Sequence, residues 1–281
     1  MAMNRIGLAL VAAVALLAAA PAAHATFPGK PGQIVFFSLD RQDDQLLYRI
    51  NPSGGKVRPA PFAGHNAAYS ADGRYVAYLG NDGFRVANAD GTDPRPVPGG
   101  GEPAWSPSGR EIASTFTNYE DYPYIDIVDV ATGVTRHLTD GEDPSWSPDG
   151  RTILFNTANH GALCKIRPDG TGKACFTAAS KLGAQDPDWS PGGRAIVVAA
   201  GTRIAVLRSD GSFARWISPP IKKSGSIQTR VFNPSWSPDG KRVVYERGKG
   251  YNRGSLYVTG DRGGSQRYLT GGTRPVWAPA R

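Results

Sequence analysis

From Tyr75 onward the chain alternates short apolar runs with polar breaks marked by glycine. Tyr75-Val-Ala-Tyr78, Ile153-Leu-Phe155, Ile196-Val-Val198 and Val243-Val-Tyr245 are rich in β-branched and aromatic residues, the composition of buried strands. A second set of short runs includes Ile125-Asp-Ile-Val128, Arg203-Ile-Ala-Val206 and Leu256-Tyr-Val258. Turns follow at Asp90-Gly91, Thr132-Gly133, Asp169-Gly170, Asp210-Gly211 and Gly263-Gly264, where glycine supplies the positive φ of a tight hairpin. Arg136-His-Leu-Thr139, Ala174-Cys-Phe-Thr177 and Arg267-Tyr-Leu-Thr270 then read as fourth strands. No window carries an apolar period of 3.6 residues, so the pattern predicts strands with almost no helix.

The strands belong to a repeat. Pro103-Ala-Trp105-Ser-Pro-Ser-Gly-Arg110 recurs as Pro144–Arg151, Pro187–Arg194 and Pro234–Lys241, with a degenerate copy at Ala67–Arg74 and a truncated one at Pro275–Pro279. The aromatic position is 69, 105, 146, 189, 236 and 277, so the spacings are 36, 41, 43, 47 and 41 residues. That is the roughly 40–45 residues of one four-stranded propeller blade. Gln33-Ile-Val-Phe-Phe37 resembles a second strand with no Trp-Ser-Pro strand before it, and the last copy is an innermost strand with nothing after it. Each supplies what the other lacks. The expected fold is all-β: a six-bladed β-propeller over 33–281, its last blade shared by the two terminal segments so that no sheet edge stays open.

Composition refines this in three places. The first 25 residues read as a signal peptide: Arg5 precedes the apolar run Ile6–Ala20, and Ala23-His24-Ala25 is a small-x-small cleavage site. Residues 26–32 then form a short leader, and export to the periplasm, cell surface or medium is expected, with no membrane span. In an oxidising compartment the two cysteines become partners. If Asp169-Gly170 sits at the tip of a hairpin, residues whose numbers sum to 339 face each other, as Cys164 and Cys175 do. A bulge in that hairpin would instead leave two free thiols. The net charge of +8 comes from scattered arginines. It suits an acidic partner and, without a lysine-rich stripe, does not suggest nucleic acid.

The x-P-x-W-S-P-D-G-[RK] repeat resembles that of the TolB-type propeller family, a relative of the WD repeat. The match covers the propeller alone, from about residue 30 to 281. It implies a periplasmic or cell-surface module that binds a protein or peptide at one face or in its axial channel; a monomer is expected, and the basic charge adds an anionic envelope polymer to the candidate partners. The same repeat forms the non-catalytic propeller of prolyl-oligopeptidase-like enzymes.

Within the repeat, tryptophan reads as packing between blades, and Ser-Pro-Asp-Gly as a turn. The position three residues before each aromatic is different. It holds Asn66, Glu102, Asp143, Asp186, Asn233 and Arg274, which packing does not explain. These six are expected at the channel mouth, three acids facing Arg274, where they would favour a cation or a basic peptide group; solvated loop positions are the alternative. Insertions on the same face supply Tyr119, Tyr122, Lys222, Lys223, Arg230 and Arg247 as candidate partner contacts. No cofactor is expected, except that a cation such as calcium would suit the acids. There is no G-x-S-x-G and no H-E-x-x-H, and of three histidines outside the leader only His65 falls near the mouth. Binding without catalysis is therefore the leading expectation, and a lyase, lactonase or glycosidase using Glu102 and Asp143 is the alternative.

Overall fold

Each Ser-Pro-Asp-Gly segment, like its variant Ser70-Ala-Asp-Gly73, makes a turn that carries the chain from one strand into the next. In the first copy Ser70 Oγ donates to Asp72 Oδ1 at 2.8 Å, and the Arg74 N–H donates to the same oxygen at 3.0 Å. Ser147, Asp149 and Arg151 repeat this at 2.6 and 3.1 Å. Gly73 and Gly150 follow with φ of 67° and 69°, a region that glycine enters without strain. The aspartates are turn-makers.

A computed structural model describes residues 28–39, 45–118, 122–221, 229–249 and 254–280. The signal-peptide reading of 1–25 and the candidates Tyr119, Lys222 and Lys223 lie outside them. The described chain forms six four-stranded antiparallel sheets and one short helix, Thr177–Lys181. The innermost strands are His65–Tyr69, Gly101–Trp105, Glu142–Trp146, Ala184–Trp189, Arg230–Trp236 and Thr273–Pro279. They open blades one to six in that order. Blade six is completed by Pro31–Leu39, Gln45–Ile50 and Arg58–Ala63, with Ile34 opposite Trp277 and Val35 opposite Val276. The ring closes by joining the two terminal segments, as expected. In blade three the expected register also holds: Cys164 faces Cys175 across the outer hairpin, and a disulfide joins them.

The core is divided among the gaps between blades. Six buried clusters each contain one repeat aromatic together with side chains of two adjoining sheets. Trp105 packs with Ala77, Phe84 and Val86 of blade one and Ile112 and Val128 of blade two. Trp277 bridges Val244 and Leu256 of blade five to Ile34 and Phe36 of blade six. Two of these rings also bond their neighbour: Trp105 Nε1 donates to the Ala68 carbonyl at 3.0 Å, and Trp277 Nε1 to that of Ser235 at 3.1 Å. A ring of this size buries roughly 150–250 Å². The expected wedge between blades is present six times.

Candidate functional site

Three residues before each aromatic the innermost strand breaks its ladder. The register shifts between His65 and Ala68, Gly101 and Ala104, Glu142 and Ser145, Gln185 and Asp188, and Phe232 and Ser235. Every residue of the mouth position takes left-handed φ: Asn66 54°, Glu102 49°, Asp143 56°, Asp186 49°, Asn233 47° and Arg274 50°. Asparagine and aspartate tolerate this region, whereas glutamate and arginine cost about 1–2 kcal/mol there. The bulge turns all six side chains toward the axis. They rim a cavity of ≈ 200 Å³ with Ala67, Pro103, Pro144, Pro187, Pro234 and Pro275 as the next layer inward. The six candidates therefore do converge.

Their charges are tied to specific partners. The Arg274 guanidinium donates to Asn66 Oδ1 and lies 3.7 Å from Glu102 Oε1, so it reaches along the rim rather than facing all three acids. Its backbone N–H donates to Glu246 Oε2 at 3.3 Å, and Asn233 Nδ2 donates to the same oxygen at 3.1 Å. The Asn233 N–H donates to Asp186 Oδ2 at 2.8 Å. Glu246 sits on the second strand of blade five and is 2% exposed. Burial pushes its carboxyl up to about 7. Gly254 makes room for it, since a Cβ there would lie 2.5 Å from Glu246 Cγ.

A second residue that the sequence did not place here is His160. It was expected away from the mouth, where only His65 was assigned. The loop between Ile153–Asn156 and Leu163–Ile166 folds over the rim, with Asn159 and His160 at φ of 61° and 50°. His160 Nδ1 comes within 3.3 Å of Asp143 Oδ2 and 3.4 Å of Glu142 Oε1. The His160 N–H donates to the Glu142 carboxylate, and its carbonyl accepts from Gln185 Nε2 at 3.3 Å. Pairing with Asp143 raises the imidazole to about 9, which makes it a cation at neutral pH. Burial, with Asp186 and Glu102 nearby, raises Asp143 well above the usual carboxylate range, against the opposing pull of His160. Burial also raises Asp186. His65 does lie near the rim, lowered first by burial and then by Arg274.

The loop candidates divide. Tyr122 is 53% exposed on the second hairpin of blade two. Arg230 is exposed at the start of blade five's innermost strand. Arg247 packs its guanidinium 5.5 Å from the centre of the Tyr257 ring, on the same blade. Blades two and five are three places apart in a ring of six. These side chains flank the mouth from opposite sides and do not form one patch.

The TolB beta propeller domain model matches residues 98–281. Solved structures share the fold at low identity. TolB from Acinetobacter baumannii is 19% identical with a TM-score of 0.69, over 89% of this chain and 67% of that one. Oligogalacturonate lyase from Vibrio parahaemolyticus is 14% identical with a TM-score of 0.56, over 89% of this chain and 78% of that one. A structure of the nidogen/laminin complex is 12% identical with a TM-score of 0.63, over 88% of this chain and 98% of the other. No curated protein matches the sequence.

Proposed function

We propose, from the premise that the chain belongs to the TolB beta propeller domain family, that it is an exported, monomeric binding module that seats a cationic group of a protein or peptide partner at the channel mouth. One observation carries this reading: around the mouth five carboxyl groups, Glu102, Glu142, Asp143, Asp186 and Glu246, meet two cations, Arg274 and His160. Acidic groups outnumber basic ones here although the whole chain is +8, and a cationic group seated among Glu246, Asp143 and Asp186 would draw these burial-raised carboxyls into their ionised form. Low-dielectric walls strengthen such a field and attract positive groups. The proline layer beneath is rigid and apolar, which suits an extended peptide whose basic side chain is held above it.

Export rests on the signal-peptide pattern, and amino-terminal sequencing of the secreted form should begin at Thr26. For binding, a photo-crosslinker at Tyr122 in the native cell envelope should capture a partner that is lost when Glu102 and Asp186 are both changed to lysine. Equal capture by the reversed mouth would overturn the reading. A second reading, turnover of a sugar acid, is favoured by the His160–Asp143 pair, which has the geometry of a general acid–base couple. It requires turnover of oligogalacturonate that Glu102→Gln abolishes without loss of fold.

A further inference from the structure

The acids of the mouth are not evenly spread. Asp143 and Asp186 occupy consecutive places in the ring, on adjoining blades, and the loop after Asn156 lays His160 over them. One ligating atom from each of these three residues lies within 4.8 Å of those of the other two. Asp143 Oδ2 is buried and has no hydrogen-bond donor in bonding geometry, and His160 Nδ1 stands 3.3 Å from it in ion-pair range. The geometry points to a binding site for one divalent transition ion, zinc being the best fit, held by Asp143, Asp186 and His160.

The donor set selects the ion. Calcium takes six to eight oxygen ligands, whereas an imidazole nitrogen with carboxylates suits zinc and its neighbours. Once zinc displaces the proton that the pairing with Asp143 holds on it, His160 turns the choice away from calcium, the ion that the acids alone would suit. Zinc bonds of about 2.0–2.1 Å place tetrahedral donors roughly 3.3–3.5 Å apart, so the wider separations of the triad, which reach at most 4.8 Å, must close by roughly 1 Å. Asp143 and His160 already stand 3.3 Å apart, so the movement falls to Asp186, which would have to turn from the Asn233 N–H that its Oδ2 accepts at 2.8 Å. Three protein ligands leave a fourth position toward the cavity, the arrangement of a zinc that also holds water or a ligand. Glu142 fixes the loop through the His160 N–H, and Gln185 fixes it through the carbonyl at 3.3 Å, so the ring is presented by a held backbone. The ion would occupy carboxylates that the proposed function assigns to a cationic group, so zinc and a basic partner compete.

Isothermal titration of the chelator-treated, disulfide-intact protein with zinc chloride tests the site without any partner present. Wild type should bind one zinc per chain. His160→Gln and Asp143→Asn should each weaken this at least tenfold, and calcium chloride should bind wild type at least tenfold more weakly than zinc. His137→Gln is the control: that ring also meets a carboxylate, 3.2 Å from Asp126, but on the outer strands of blade two. It should titrate like wild type. Should Asp143→Asn fail to fold, His160→Gln, in a surface loop, still decides. No saturable zinc binding, undiminished binding by His160→Gln, or calcium as tight as zinc would each overturn the site, whatever the partner experiment shows.

Discussion

Two positions of the repeat, three residues apart on the same strand, have opposite characters. The aromatic position holds Trp or Tyr in all six blades, between 2% and 8% exposed, in a gap between sheets. The mouth position holds four residue types, all with the same left-handed backbone and all facing one cavity. Packing between equivalent blades asks six times for the same shape, so it enforces sameness. The mouth keeps the strained backbone constant and changes only the chemistry, as at sites where strain positions functional groups. The first position builds the ring and the second gives its axis a composition.

The most severe way to break this contrast is to delete residues 275–281. That removes the innermost strand of blade six and Trp277, and should abolish cooperative unfolding by circular dichroism, whereas trimming 26–31 should cost far less. Trp146→Ala, at one gap between blades, should lose about 3–5 kcal/mol in denaturant titration. Cys164→Ser, outside both positions, should lose at most roughly 3 kcal/mol, because the disulfide closes a short loop. Substitution at the mouth should behave in the opposite way. Glu102→Gly relieves a left-handed glutamate and should remain within about 1 kcal/mol of wild type, on the stable side, while partner capture falls.

The mouth also predicts the direction of the pH response. Folding raises Glu246 from 4.5 to about 7, so its contribution to stability is full below pH 4.5 and lost as pH rises through 7. His160, raised from 6.5 to about 9, contributes fully below pH 6.5 and loses this through 9. Thermal melting should therefore weaken steadily across that span. Glu246→Gln should flatten its lower part and His160→Gln its upper part, each by less than the aromatic substitution costs.

The fold was legible because its evidence repeats in register. Six aromatic positions fixed the blade count, the complementary terminal segments fixed closure, and a symmetric hairpin pointed to the cysteine pair while a bulge stayed open as the alternative. The mouth was legible only where the repeat reaches. Asn66, Asp143, Asp186 and Asn233 are residue types that tolerate left-handed backbone, and that shared trait is a signal for the bulge. His160 comes from a loop whose path no periodicity describes. Glu246 was visible by a finer comparison. Ten residues after each of the first five aromatics the chain has Leu79, Thr115, Asn156, Ala199 and Glu246, so a lone carboxyl stands in a row without charge. A charge in such a row, on a strand buried at both faces, marks a site.

The clasp between Thr273–Pro279 and Pro31–Leu39 has a consequence for the order of folding. A chain delivered from its amino end presents Pro31–Leu39 first, and that strand has to wait with one edge unpaired until the last blade arrives. Closing so long a loop is slow, and an open strand edge invites pairing with other chains. The exposed interval ends only when the final strand is released. A circular permutant that joins the present ends and opens at the turn between two other blades would keep every native contact and bring the two halves of blade six together early. Its yield under export, set against that of the natural order, would measure how much the late clasp costs.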